Sequence, residues 1–130
     1  MESLQINPYV VDRKSRYAVT AFPVASEADF AAGIRARLRD KKFRAADHNI
    51  AAYRIAGAGG KIAEYKNDGY NSPSKESGAG RLILEAMRRR NVVNWCVVAT
   101  RWYGGVHLGP DRFRHVQNAA LAIIERIPIH

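Results

Sequence analysis

One cysteine in 130 residues rules out a disulfide within the chain. That cysteine, Cys96, sits between Trp95 and Val97-Val98-Ala99, where it reads as a small buried hydrophobe rather than a nucleophile. The lack of disulfides fits a reducing, cytoplasmic setting. No apolar run approaches the roughly 20 residues that a membrane-spanning helix needs, so no membrane partner is expected. Residues 1–9 lack a basic stretch followed by an apolar one, so no secretory signal is read there. His48, His107, His115 and His130 are scattered, and none combines with Cys96 in a metal-ligand spacing, so neither a metal nor a cofactor is expected. Repeats and low-complexity tracts are also missing. What remains is a chain with 47% hydrophobic residues, enough for one cored domain.

Acidic residues are scarce beside basic ones. Lys and Arg number 21 against 12 Asp and Glu, a net charge of +9 at pH 7. Such a chain is attracted to RNA, ribosomes and acidic protein surfaces. The bases cluster as Arg35, Arg37, Arg39, Lys41, Lys42 and Arg44, and again as Arg88, Arg89 and Arg90. Both clusters fall at predicted helix C-termini, where the helix dipole favours cations. A polyanion-binding patch and a solvated basic face are both open readings.

The pattern along the chain gives an element order. Residues 1–12 show no periodicity and read as a leader ahead of a single domain over 13–130. Arg16 to Phe22 reads as a first strand limited by Pro23. Ser26 caps a helix with Glu27 and Asp29 in its first turn and Phe30, Ile34 and Leu38 on one face, ending near Asp40 or Lys42. Ile50 to Ile55 is a second strand, and Lys61 to Lys66 a short third one after a glycine turn. Residues 67–80 are rich in turn formers and long for a connection, a length usual for functional or mobile loops. A second helix follows with Ala79, Leu82, Ile83, Ala86 and Met87 as its stripe, exiting between Asn91 and Asn94. Trp95 to Tyr103 is the last strand. A helix from Pro110 to about Arg126 turns Phe113, Val116, Gln117, Ala120, Leu121 and Ile124 inward, and Pro128 stops it. This order predicts an α+β two-layer sandwich: one mostly antiparallel sheet of about four strands with helices on one face.

The densest signal lies at the last strand's exit, Arg101-Trp102-Tyr103-Gly104-Gly105-Val106-His107-Leu108-Gly109-Pro110-Asp111-Arg112-Phe113. Gly104-Gly105 ahead of a helix start is able to present backbone N–H groups to an anion. However, the spacing matches neither a P-loop nor a dinucleotide fingerprint. Asp111 also occupies the helix N-terminus where an anion would sit, so a tight turn is the simpler account. Strand alternation puts Arg101 and Tyr103 on one face and Trp102 on the other. If Trp102 lies under the helices, Arg101 and Tyr103 form a platform on an open sheet face; alternatively Arg101 pairs with Asp68 or Asp111 and pins loops. His48 reads as structural, since no nucleophile stands in a motif beside it. Asp68, Glu76 and Asp111 are carboxylates that a fold could gather at one rim.

The exit motif resembles the R-[WYF]-[YF]-G-G-x-x-L-G signature of the IMPACT-type proteins, in the variant followed by P-D-R-F. Arg13-Lys14-Ser15-Arg16-Tyr17, His48-Asn49-Ile50-Ala51-Ala52-Tyr53-Arg54-Ile55 and Asp68-Gly69 with Ser77-Gly78-Ala79-Gly80-Arg81-Leu82 resemble three further family segments in order and spacing. The residues that match are His48, Asn49, Tyr53, Asp68, Gly69, Gly80, Arg81, Arg101, Tyr103, Gly104, Gly105, Leu108, Gly109, Asp111 and Arg112. The resemblance implies a fold similar to the second domain of ribosomal protein S5. It also implies a regulator of translation that binds the activator of the starvation-sensing kinase of initiation factor 2α; neither enzymatic turnover nor oligomerisation is expected of the chain. Fungal members are linked to actin, and bacterial relatives to nucleic acid. Two features depart from the pattern. Tyr70 and an extended 71–76 stretch stand where the family has an acidic residue after Asp-Gly. Eukaryotic members also carry a further domain ahead of this one, for which 130 residues leave no room, so the chain is expected to work alone or as an isolated domain.

Overall fold

The computed structural model describes residues 3–128, and the expectations that fell on Met1, Glu2 and His130 lie outside them. Five strands form one antiparallel sheet: β1 (Leu4–Asp12), β2 (Ser15–Pro23), β3 (His48–Ala56), β4 (Ile62–Asn67) and β5 (Trp95–Trp102), in the spatial order β1-β2-β5-β3-β4. Among the described residues four α-helices join the sheet, α1 (Glu27–Leu38), α2 (Lys41–Arg44), α3 (Ala79–Arg89) and α4 (Asp111–Ile124), with a short 3-10 turn at Ala58–Gly60. No helix among the described residues is long and apolar enough to cross a membrane.

The α+β class and the antiparallel sheet are as the sequence predicts; three details differ. The predicted leader is an edge strand from Leu4 onward, paired with β2 through Leu4↔Ala21 to Asp12↔Ser15. Leu4, Ile6, Tyr9 and Val10 pack against the core. A register break between Ile6 and Val10, around Pro8, interrupts the alternation that would have revealed it; an edge strand tolerates both.

The helices also lie on both faces of the sheet rather than one. Val97 and Ala99 of β5, with Val19, Ala21, Ile50 and Ala52, face α3 and α4. Cys96 and Val98, with Ala51, Tyr53 and Ile55, face the other way and are covered by Phe30 and Ile34 of α1. The central strands are therefore buried on both sides, which is why they read as continuous apolar runs.

The third difference concerns helix phase and ends. In α4 the buried set is His115, Val116, Ala119, Ala120, Ile123 and Ile124, a stripe rotated away from Phe113, Gln117 and Leu121. The first helix stops at Leu38; Asp40 accepts from the Lys42 N–H at 2.8 Å and starts the separate turn α2. Ser26 caps α1 as expected, accepting from the Asp29 N–H at 3.1 Å.

Candidate functional site

The exit of β5 and the start of β3 lie side by side. Arg101 pairs across the sheet with His48 on one neighbour and Tyr17 on the other, so the three side chains share the α3/α4 face. The 68–78 loop folds over this row. Asp68 accepts from the Gly78 and Gly80 N–H groups at 3.1 and 2.8 Å, capping the start of α3. The backbone N–H of Glu76 donates to the Asp68 carbonyl, which turns the Glu76 side chain onto Arg101. Arg101 Nη1 donates to Glu76 Oε1 at 3.0 Å, and both residues are buried. His48 Nδ1 donates to the Ser74 carbonyl at 3.1 Å; its Nε2 stands 3.7 Å from Glu76 Oε2. Arg112 of α4 approaches Glu76 from the open side at 3.7 Å. One carboxylate thus holds two arginines and a histidine together.

Aromatic rings complete the setting. The Arg101 guanidinium lies 5.7 Å from the centre of the Tyr17 ring and 5.6 Å from that of Tyr103, within cation–π range of both. Burial is the main reason the Tyr17 phenol is pushed up to about 12. Arg101 therefore does not stand on an open face. Strand alternation does put Arg101 and Tyr103 on one face, but a helix layer lies on each side of the sheet. Trp102 faces the α2 side, where its Nε1 donates to the Lys42 carbonyl at 2.8 Å and its ring meets Phe43. The carboxylate that takes Arg101 is Glu76, not Asp68 or Asp111. Asp68 is engaged by α3, and Asp111 pairs with Arg13 and Arg114, so the three carboxylates have separate duties.

The remaining motif residues sort by task. Asn49 knots the region: its Nδ2 donates to the Phe43 carbonyl, its Oδ1 accepts from Thr100, and its backbone engages Ser72 and Tyr70. Gly104 lies so close to the β1–β2 turn that a Cβ would overlap the Lys14 carbonyl. Its N–H donates to Ser15 Oγ at 3.1 Å, while the Tyr103 N–H donates to Asp47 at 2.7 Å. Gly105 and Gly109 have φ of 91° and 59°, so the glycine pair serves a tight turn. At Gly80 a Cβ would lie 2.9 Å from Asp68 Oδ1, and at Gly69 one would lie 2.6 Å from the Ser74 carbonyl. Leu108 is buried in the core. Tyr53 stacks on Tyr65 at 5.0 Å beneath α1, away from the groove. Arg81 is exposed and pairs with Glu85.

The basic clusters are partly spent on structure. Arg37 lies over the Phe43 ring at 4.9 Å, Arg44 donates to the Leu38 and Arg39 carbonyls, and Arg88 pairs with Glu64. Arg35, Arg39, Lys41, Lys42, Arg89 and Arg90 remain exposed. Residues that sequence reasoning left out include Ser15, Asp47, Ser72 and Ser74. Of these, Asp47 stands next to His48-Asn49 and Ser15 lies within the Arg13–Tyr17 segment, so both carry a local signal.

Together these residues border a shallow groove of about 300 Å³, lined by His48, Glu76, Arg101, Tyr103, His107 and Arg112 among others. Tyr103 and Val106 stand exposed on the loop beside it. No group of three metal-ligating side chains occurs among the described residues.

Sheet, loops and groove define a class: a small α+β domain whose signature residues lock a strand exit, a crossover loop and a helix start around a charged depression. Comparison with known proteins makes the assignment specific. Residues 13–124 match the Impact N-terminal domain, and the chain belongs to that family. It is 34% identical over 111 residues to the Protein IMPACT homolog of Schizosaccharomyces pombe (85% of this chain, 38% of the relative). It is 39% identical over 119 residues to the homolog of Caenorhabditis elegans (88% and 44%) and 36% identical over 117 residues to human Protein IMPACT (88% and 35%). The chain thus spans less than half the length of these relatives. A solved structure described as the two-domain translational regulator Yih1 shares 34% identity at a TM-score of 0.56, over 94% of this chain and 44% of that one. A second, of a hypothetical protein, shares the fold at 21% identity and a TM-score of 0.66, over 97% of this chain and 61% of that one.

Proposed function

We propose that the chain is a cytoplasmic, monomeric translation regulator that acts by docking a protein partner at the Glu76 groove. The observation that carries this reading is the placement of Tyr103 and Val106. Both stand exposed on a loop whose base is fixed by the Tyr103–Asp47 and Gly104–Ser15 hydrogen bonds. A preorganised aromatic at the edge of a charged groove is a suitable anchor for a protein interface, because little ordering entropy remains to be lost on binding. Nothing in this reading calls for turnover of a substrate. The partner in this reading is the activator of the starvation-responsive kinase of initiation factor 2α, with monomeric actin as a second one. By holding that activator, the chain would keep translation running when amino acids are short.

The test is affinity capture from the native cell with the full chain, Tyr103→Ala and Val106→Glu. Both substitutions are at exposed positions outside the Arg101–Glu76 pair. The wild-type chain should recover the kinase activator, and each variant should weaken the purified interaction about tenfold or more. Recovery of neither the activator nor actin would sink the proposal. A complex with RNA or ribosomes that ignores Tyr103 and Val106 and dissolves steeply with salt would favour the exposed bases as a nucleic-acid surface instead.

A further inference from the structure

The loop that closes the Glu76 groove also borders a second, larger one. Arg35, Leu38 and Arg39 from the end of α1, Arg44 from α2, and Tyr70 and Asn71 from the loop line an open groove of about 570 Å³. Its floor is apolar: Leu38 and Tyr70 are partly buried against the α1-side core. Tyr70 is fixed there, its backbone N–H donating to the Asn49 carbonyl at 2.7 Å and its ring meeting Phe30 edge-on at 5.6 Å. The rim is cationic. Arg44 Nη1 donates to the Leu38 and Arg39 carbonyls at 3.0 and 3.4 Å, which pins its guanidinium at the C-terminus of α1. The lining contains no carboxylate, and among the described residues Arg35, Arg39 and Arg44 form no ion pair, whereas Arg54, Arg88, Arg101 and Arg112 all do.

Three arginines without an ion-pair partner around an apolar floor suit an anionic occupant that also has an apolar part. A phosphate backbone would use the arginines and leave Leu38 and Tyr70 uncovered. An acidic peptide with an apolar side chain between its carboxylates uses both, with Arg–carboxylate pairing at the rim and burial at the floor. We propose that this groove docks such an acidic segment of a partner protein. The site is separate from the Glu76 groove and does not rest on the function proposed above, since none of its lining residues is shared with that groove.

The test uses the full chain and a fluorescein-labelled peptide of Asp and Glu residues around a central Phe, followed by fluorescence anisotropy. The peptide should bind. Replacing its Phe by Ser, or introducing Tyr70→Ser or Arg39→Glu in the protein, should each weaken binding about tenfold or more, while Tyr103→Ala leaves it unchanged. Arg39 is exposed, so its variant reports even where Tyr70→Ser perturbs the loop, and circular dichroism checks both folds. Binding that is indifferent to the peptide's Phe and to Tyr70 would reduce the groove to general charge attraction and overturn the proposal. Tighter binding of a labelled oligouridylate than of the peptide, lost on Arg39→Glu, would overturn it in favour of nucleic acid.

Discussion

Arg101 and Glu76 come from segments 25 residues apart and meet as a buried ion pair at 3.0 Å. Arg101 depends on Glu76 for its counter-charge, because the buried guanidinium would otherwise be held away from water uncompensated. The pair therefore joins the end of β5 to the loop before α3 more firmly than surface charge would.

Replacing Glu76 by Gln preserves shape but leaves Arg101 without its counter-charge. The expected loss is about 3–5 kcal/mol, the usual cost of removing one member of a buried pair. Urea unfolding measures it. The double replacement Glu76→Leu with Arg101→Met should lose clearly less than the sum of the single changes; strict additivity would show that the two residues do not act as a unit.

Gly104→Ala should destabilise the domain by more than about 1 kcal/mol, reversing the mild gain that alanine gives at permissive glycines. Its Cβ would collide with the backbone at Lys14, and the β1–β2 turn has no flexible side-chain end there to move aside. A thermal melt at or above the wild-type value would contradict the close approach.

Acid should weaken the fold in a defined window. The hydrogen bond from Arg88, helped by Arg54, lowers the Glu64 carboxyl from 4.5 to about 2; Arg13 and then His115 lower Asp12 from 3.8 to about 2. Both folded values lie below the unfolded ones, so the unfolded chain binds more protons between them. The stabilisation is complete above about pH 4.5 and declines as pH falls through about 2. Melting temperature measured against pH should fall over that range, and Glu64→Gln should flatten the slope. Because these groups are near the surface, added salt should also shrink the effect.

Cys96 should resist thiol reagents in the native protein. Full burial in β5 pushes its thiol well above the ordinary range, so neither the thiolate nor access is available. A chromogenic disulfide reagent should report one reactive thiol only after denaturant is added; prompt labelling of the folded chain would show that the sheet opens.

The sequence exposes features that act locally and conceals those that depend on distant partners. Ser26 and Asp29 announce the start of α1 because capping involves neighbours three residues apart. The runs at 50–55 and 95–102 are recognisable as strands because burial on both faces makes them apolar throughout. Period-two alternation also groups Arg101 with Tyr103 correctly. It is silent on which face lies open, and here neither does. Glu76 is visible as one of three carboxylates, yet its choice of Arg101 depends on how 68–78 folds back over β3, which no neighbouring residue encodes. His115 and Ala119, polar and small, hide the true buried stripe of α4 behind bulkier Phe113 and Leu121. In the exit motif Arg101, Gly104 and Leu108 hold the groove in shape through burial and close packing, whereas Tyr103, Gly105, Val106, His107 and Pro110 are exposed.

The opening strand bears on any attempt to trim this protein. The segment that matches the family begins at residue 13, one position beyond the end of β1. A fragment cut at that boundary would strip β2 of its outer neighbour, leaving a row of unpaired backbone donors and acceptors beside a bared apolar flank. It would also take away Asp12, the partner of His115 and Arg13. Such a fragment would tend to recruit a strand from another molecule and aggregate, so Leu4–Asp12 functions as an edge guard for the sheet.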